Sequence, residues 1–492
     1  MNVAIFNSHT LLASHYETEL EIIYDHQEKG DHVVQLICES DLPACDINPF
    51  YHPEACERCI SKRKNGYAAL NKKPEIKRFF YLTEEDKLRI KQVPKAFANV
   101  AELKKLKVDN YEIGYSVASS IISYFRDPNP TLDPKWVERY IIGCLGVYFS
   151  MINYLKENST EIVYVFNGRL SHTKAVLQAC KSVHVKCILH ERGNSMPFYS
   201  LFENTSIHDL KNTQRLIIEN WEKADPSERI ERATQWFQTR IGGKMENWFS
   251  FLENQTFELP ENWDVSKKNI LICNSSEDEF ASLNDEWKNH LYANQTDGIL
   301  KIINDTKDIK NIHIYLRIHP HLAKVDNHDL RILLAIKSPH LTIIPANSLI
   351  STYNLISHAS QVITFGSTIG MEATFMEKPS ILAGKSFYHN LGGTYEPETH
   401  QELIELLRKE LQPKPKEIAL MFAFFFGTFG VRFKHYSPED FGIGRFRGNY
   451  ITSENSVKYK IIKAVFENKV FPKFSEWLRI RKREKLIQRF LP

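Results

Sequence analysis

VITFGSTIGMEATFMEKPSILAG, residues 362–384, is the stretch from which the fold is read. The apolar run 362–365 has the character of a buried strand, Gly366, Ser367, Thr368, Ile369 and Gly370 turn the chain, and helical composition begins at Met371. Lys378-Pro379 then leads into a second apolar run, 380–383, which completes a strand, turn, helix, strand unit of a parallel sheet. Two readings of the turn stand side by side. Its small residues let backbone N–H groups and hydroxyls approach a phosphate, with a helix start behind them adding a favourable dipole. A tight connection of ordinary type would look the same.

The same rhythm extends upstream. Residues 269–273 read as a strand ending in Asn274-Ser275-Ser276, with acids at 277–279 suited to a helix start. A helix at 295–307 follows, then a strand at 312–318 running into Arg317-Ile318-His319-Pro320-His321, a strand at 341–344 and a helix at 352–359. Open parallel sheets bind ligands at the carboxyl ends of their strands. Asn274, Ser275, Ser276, Arg317, His319, Pro320, Gly366, Ser367, Thr368 and Gly370 are therefore expected at one site, where Arg and His meet a phosphate's charge and the hydroxyls and turn N–H groups donate to it. Glu372, just inside the following helix, either accepts from a sugar hydroxyl or caps that helix.

The first half opens as a βαβ unit: strand 3–6, then Asn7-Ser8-His9, an amphipathic segment 11–28, and strand 33–38, with no GxGxxG fingerprint. Strand 162–166, turn Asn167-Gly168-Arg169, helix 171–182 and strand 185–189 repeat the pattern, the last ending in His190-Glu191-Arg192-Gly193. Asn7, Ser8, His9, Asn167, Arg169, His172, His190, Glu191 and Arg192 would then gather on one sheet edge. Glu191 has the setting of a general base facing a cleft, and equally that of a rim ion pair with Arg192.

At 492 residues the chain exceeds a single domain of ~100–200 residues. The expected division is an N-terminal Rossmann-like domain, 1–253, a linker at 254–268 around Pro260, a second Rossmann-like domain, 269–430, and a basic helical tail, 431–492. The 63 Lys and Arg nearly balance the 60 Asp and Glu, which argues against a nucleic-acid partner. Eight cysteines with no leading charged-then-apolar segment point to a reducing, cytoplasmic setting. Four of them, Cys38, Cys45, Cys56 and Cys59, the last two in a CxxC spacing, would suit a structural zinc, or are incidental buried and loop thiols. The apolar run 418–431 is shorter than the ~20 residues of a membrane span and reads as a core helix. In the tail, Phe474, Trp477, Leu478, Leu486, Ile487 and Phe490 mix with many Lys and Arg; such a helix either lies on an anionic membrane surface or packs back on the first domain.

Arg317-x-His319-Pro320, followed by Ser367-Thr368-x-Gly370-x-Glu372 and Lys378-Pro379, resembles the bacterial capsule polysaccharide biosynthesis family of GT-B glycosyltransferases, which includes capsule-type Kdo transferases. It is also similar to GT-B bacterial sialyltransferases. The resemblance implies two Rossmann-like domains facing a central cleft with C-terminal helices crossing back. It implies that His319 and Pro320 contact the nucleotide of a CMP-sugar, and that Ser367 and Thr368 hold its phosphate. His190-Glu191-Arg192-Gly193 is similar to a first-domain segment of the capsule enzymes, which puts Glu191, or His190, at the acceptor as the base, with Asn7, Ser8, His9, Asn167, Arg169, His172 and Arg192 around it. The expected activity is metal-independent, inverting transfer from a nucleotide sugar to a glycan or lipid-linked glycan. A polyol-phosphate or phosphosugar transferase, a UDP- or GDP-sugar glycosyltransferase and a non-catalytic nucleotide- or glycan-binding protein on the same plan are the alternatives.

Overall fold

The computed structural model describes residues 1–12, 14–242, 255–440, 442–453, 456–467 and 472–492. They form two compact units, one of residues 1–125, 129–207 and 430–492, the other of residues 126–128 and 208–429. Each is an α/β unit built on a largely or wholly parallel sheet, as expected for two Rossmann-like domains.

In the first unit β1 (Asn2–Asn7), β2 (His32–Ile37), β3 (Glu75–Arg78), β4 (Ile162–Phe166) and β5 (Lys186–Arg192) are parallel, and β6 (Phe198–Glu203) runs antiparallel to β5. Val3, Ala4, Ile5 and Phe6 are all buried, as a strand covered on both faces requires. The register aligns Phe6 with Val165 and Phe166 with His190, so the residues just after each strand share one edge.

The second unit carries β7 (Lys268–Cys273), β8 (Ile312–Arg317), β9 (Leu341–Ile344), β10 (Gln361–Thr364) and β11 (Ser380–Leu382), all parallel in the order β11, β10, β7, β8, β9. Side chains alternate between two cores, as strand geometry dictates. Ile270, Ile272, Ile314 and Ile363 pack with Ile299 and Ile302 of the helix Gln295–Asp305, while Leu271, Tyr315 and Val362 pack with Leu355 and Ile356. Cys273 is in register with both Arg317 and Thr364, which sets the three expected ligand-binding turns side by side.

Two expectations about domain extent are corrected. The helices Leu210–Glu222 and Pro226–Ile241 belong to the second unit, so, apart from residues 126–128, the chain passes to the second unit at 207/208; the expected 253/254 boundary lies outside the described residues. The cause is the helix Lys416–Thr428, whose apolar residues need cover: Ile217, Trp221, Ala233 and Phe237 pack on its Ala419, Phe422 and Phe425. The run at 418–431 is thus largely a core helix.

The tail, expected to be helical, begins as β-structure. β12 (Val431–Arg432) pairs antiparallel with β6, and β13 (Tyr436–Asp440), β14 (Ile443–Phe446) and β15 (Asn449–Tyr450) form a small sheet. Phe433, Tyr436, Phe446 and Ile451 enter the first unit's core beside Tyr164 and Tyr199. The helices Val457–Glu467 and Pro472–Phe490 follow, and Phe490 is fully buried, its ring against Gly146 and Phe80. Leu486 is buried while Trp477 is exposed; the Phe474 side chain lies outside the described residues. Among the described residues no helix is long and apolar enough to cross a membrane.

The cysteines do not assemble as a metal site would require. Among the described residues no three His, Cys, Asp or Glu side chains are placed to hold an ion. Cys56 and Cys59 lie on the helix Pro53–Ala68, where Cys59 Sγ accepts from the Thr10 N–H at 3.2 Å and Cys56 Sγ from Asn48 at 3.4 Å. Burial pushes the Cys38 thiol up to about 12, that of an inert core cysteine.

Candidate functional site

At the carboxyl ends of β7, β8 and β10 the second unit holds a cavity of about 240 Å³. Asn274, Arg317, His319, Pro320, Ser367, Thr368 and Glu372 line it, together with Arg240, His321, Thr352 and Tyr353. Asn274 organises the His-Pro turn: its Oδ1 accepts the His319 N–H at 2.7 Å. Within that turn the His321 N–H donates to His319 Nδ1 at 3.2 Å, which places the proton of a neutral ring on Nε2. Burial, with the charges of His321, Arg317 and Arg126, holds His319 down to about 3. It is therefore a neutral hydrogen-bond donor here, not the cation expected from sequence.

Arg317 also departs from expectation. Its guanidinium is buried and donates to the carbonyls of Pro345 at 2.5 Å and Ser348 at 3.1 Å, and to Thr352 Oγ1 at 3.5 Å. It keeps its charge at the cavity wall while fixing the 345–352 segment, with two of a guanidinium's five donors uncommitted to these bonds.

The 366–370 turn is built around Thr364, whose Oγ1 accepts the N–H groups of Gly366 at 3.4 Å and Ser367 at 3.0 Å. Gly366 sits at φ 141°, and a Cβ there would lie 2.6 Å from the Lys385 carbonyl, so only glycine fits. Gly370 does not face the cavity but packs under the Tyr388 ring, whose hydroxyl donates to the Ser367 carbonyl at 2.5 Å. The helix behind the turn, Ile369–Phe375, is only seven residues long, a smaller dipole source than expected. Ser275 and Ser276 are set back from the cavity, with the Ser275 N–H on Gln295 and the Ser276 hydroxyl on Asp278.

Glu372 is fully buried and pairs with Arg240 at 2.8 Å, while Thr368 donates to the same Oε1 at 3.0 Å. Its Oε2 is buried with no hydrogen-bond partner among the described residues. The Tyr353 hydroxyl also lies against this carboxylate and Arg240, so the acceptor at the cavity wall is one that Tyr353 and a ligand hydroxyl would share.

The first unit assembles a different group. Around Phe166, at the end of β4, lie the rings of His15, His190 and His9, with centroids at 3.7, 5.9 and 6.0 Å. All three histidines are buried, and burial holds His190 down to about 3 and His9 to about 4. Glu191 Oε2 accepts from Asn167 Nδ2 at 2.6 Å and Oε1 from the Arg192 N–H at 3.0 Å, with His15 Nε2 3.7 Å from Oε1. Burial raises its pKa against the opposing charge of Arg192, which is the tuning a general base requires. Arg192 meets Glu191 in this geometry through its backbone N–H, and the titratable side chain placed beside Glu191 is His15.

Asn7 is committed inward: its side chain donates to Glu19 at 2.8 Å and accepts from Arg63 at 3.0 Å. His172 is fully buried, with Nδ1 3.7 Å from Asp46 Oδ2. Ser8 is buried on the same loop, and the Arg169 N–H donates to Asn167 Oδ1 at 3.0 Å.

No family model matches the chain, and no curated protein matches it. Among solved structures it is similar to Thermosulfurimonas dismutans KpsC, beta Kdo 2,4 transferase, at 13% identity and TM-score 0.37 over 54% of this chain and 79% of that one. It is similar to the beta Kdo 2,7 transferase of the same organism's KpsC at 16% identity and TM-score 0.36, over 64% and 88%. A UDP-GlcNAc 2-epimerase from Neisseria meningitidis, bound to UDP-GlcNAc, aligns over 86% and 97% at 11% identity and TM-score 0.26.

Several participants escaped the sequence reading. Arg240 pairs with a residue 132 positions away, from a helix that the sequence reading places in the other domain. His15 and Glu19 lie within an amphipathic helix, where titratable residues pass for surface ones. The one available signal was the repeat of acids at 17, 19 and 21, all buried, which no solvated helix face would alternate in this way.

Proposed function

We propose that the chain is a glycosyltransferase that moves a sugar from a nucleotide-activated donor, a CMP-sugar such as CMP-Kdo or CMP-sialic acid, to a glycan or lipid-linked glycan of a bacterial surface polysaccharide, capsule or lipopolysaccharide. The observation that carries this reading is the meeting of the Asn274, Arg317-to-Pro320 and Ser367-Thr368 strand ends at one cavity in the second unit. The His-Pro and Ser-Thr residues of the resemblance are among its lining.

In this reading Ser367, Thr368 and the turn N–H groups bind the donor phosphate, neutral His319 donates to it from Nε2, and Arg317 offsets its charge without a required metal. Glu372 Oε2 accepts a sugar hydroxyl. Glu191 takes the acceptor hydroxyl's proton, the new C–O bond forms opposite the breaking one, and the nucleotide leaves as a phosphate monoester, so the anomeric configuration inverts. Burial and the charge of Arg192 tune that base, and His15 stands beside it. The protein works in the cytoplasm, at the membrane's inner face where lipid-linked acceptors reside.

Melting temperature with CMP, UDP, GDP or CDP-glycerol tests the donor class. CMP at about a hundred times its Kd should stabilise by roughly 2.7 kcal/mol. His319→Ala should remove that effect. Stabilisation by UDP or GDP alone overturns the CMP assignment, and stabilisation by CDP-glycerol with transfer of its polyol-phosphate replaces it.

A further inference from the structure

A second polar cavity, of about 510 Å³, lies in the first unit between the start of the helix Pro134–Glu157 and the helix Pro472–Phe490. Three guanidiniums line it: Arg139 from the first helix, and Arg479 and Arg483 from the second. Phe50, Trp136 and Ile480 add apolar wall.

Arg483 is 8% exposed, and its Nε has no hydrogen-bond partner among the described residues. One terminal nitrogen donates to the Phe50 carbonyl. Burial, and then the charges of Arg139 and Arg479, pull its pKa down to about 10. Arg479 shares a hydrogen bond with His52 at 3.3 Å, and Arg139 makes no hydrogen bond or ion pair among the described residues. Glu138, Glu476 and Glu484 also line the cavity, yet none of them ion-pairs with any of the three guanidiniums among the described residues.

A buried structural arginine is normally matched by a carboxylate, because removing its charge from water is costly. Asp133 and Glu138 offset Arg139 and Glu54 offsets Arg479, but no carboxylate among the described residues offsets the buried Arg483, and the three cations face a common space at the positive end of a 24-residue helix, whose dipole adds to the same field. Such repulsion is tolerated where an anion relieves it. The space is of small-molecule size, ~300–1,000 Å³, more than a bare anion fills. Planar guanidiniums match phosphate oxygens, and the aromatic and aliphatic wall suits an attached organic group.

We propose that this cavity binds the phosphate of an organophosphate ester, with Arg139, Arg479 and Arg483 on the phosphate and Phe50, Trp136 and Ile480 against its organic part. The site is separate from the cavity assigned to the donor and does not depend on that assignment. A lipid headgroup and a soluble phosphate ester share this chemistry.

The test uses the full chain with inorganic pyrophosphate, phosphatidylglycerol vesicles and phosphatidylcholine vesicles. Arg139→Gln with Arg479→Gln, at part-exposed positions, should weaken pyrophosphate binding about tenfold or more, given the strength of charge-assisted hydrogen bonds. His319→Ala should leave that binding unchanged, which separates this site from the donor cavity. Lys482→Gln with Lys485→Gln, an equal charge change on the same helix outside the cavity, should also leave it unchanged. Without ligand the double arginine variant should melt no lower than wild type, since it relieves repulsion; a purely structural cluster would melt lower. Selective loss of phosphatidylglycerol binding in the arginine variant identifies a lipid headgroup, and pyrophosphate binding without vesicle binding identifies a soluble ester. Absence of both kinds of binding in wild type, or equal losses in the lysine and arginine variants, overturns the proposal.

Discussion

The strand ends of the two units follow one topological rule and carry opposite chemistry. In the second unit, hydroxyls, a neutral imidazole and a fixed guanidinium surround a cavity of about 240 Å³. In the first, imidazoles and carboxylates close on one another around Phe166, and the polar atoms of Asn7 and Glu19 are spent within the network. A cavity walled mainly by donors, its one carboxylate, Glu372, paired with Arg240, is suited to holding an anion. Buried bases with displaced pKa values are suited to moving a proton. Parallel-sheet topology decides where polar groups gather; the residues decide which task they serve.

Four perturbations test that contrast, in descending order of expected effect. Glu191→Gln should lower transfer by about 10²–10⁴-fold, the usual weight of a general base, while donor-induced stabilisation persists. Undiminished turnover would remove Glu191 from the chemistry. Arg240→Ala strands a buried carboxylate and should cost about 3–5 kcal/mol in denaturant unfolding of the second unit. Adding Glu372→Gln to it should recover part of that loss; no recovery would mean the pair is not the cause. Gly366→Ala should cost about 1–3 kcal/mol through backbone strain and contact with the Lys385 carbonyl, and should weaken nucleotide binding more than it affects the first unit.

The smallest effect is pH-dependent. His9 and His190 are held at about 4 and about 3 in the fold, against an ordinary 6.5. As pH falls below 6.5, the unfolded chain takes up protons that the folded one refuses, so these histidines make the first unit lose stability toward acid by up to about 1.4 kcal/mol per pH unit each. Glu19 and Glu191, whose pKa values burial raises, act in the opposite sense: their contribution is greatest in acid and is lost as pH rises through the folded pKa. Hydrogen exchange at about pH 7.5 and about pH 5.5 isolates the histidine part, since His190→Gln should flatten the first unit's pH dependence. An unchanged slope would show that His190 protonates freely.

Much of the second unit is legible in the sequence. Its strands are short apolar runs, each closed by a polar turn, and β8 and β10 lie within a residue of the expected 312–318 and 362–365. Periodicity and turn chemistry are local, and they suffice where the element is local. β3, with sequence EIKR, hides in a Lys- and Glu-rich stretch because an edge strand needs little apolar character. The helices at 210–222 and 226–241 are visible as helices, but their allegiance depends on the aromatic face of a helix some 200 residues later, which no local pattern encodes. The same holds for the site. The hydroxyls and the His-Pro turn announce themselves, while the state of His319, the tethering of Arg317 and the Arg240–Glu372 pair are products of burial.

The first unit draws β12, an edge strand of its main sheet, and four core aromatic and aliphatic side chains from residues 430–451, while the second is almost wholly one continuous segment, 208–429. Chains emerge from the ribosome in order, and domains generally form as units once their segments are available. The second unit is therefore complete on emergence before the first, with the N-terminal sheet held waiting and the open edge of β6 exposed until the C-terminal residues arrive. Premature termination near residue 430 would spare the later-encoded unit and leave the earlier one sticky, an inversion of the usual vulnerability of nascent chains.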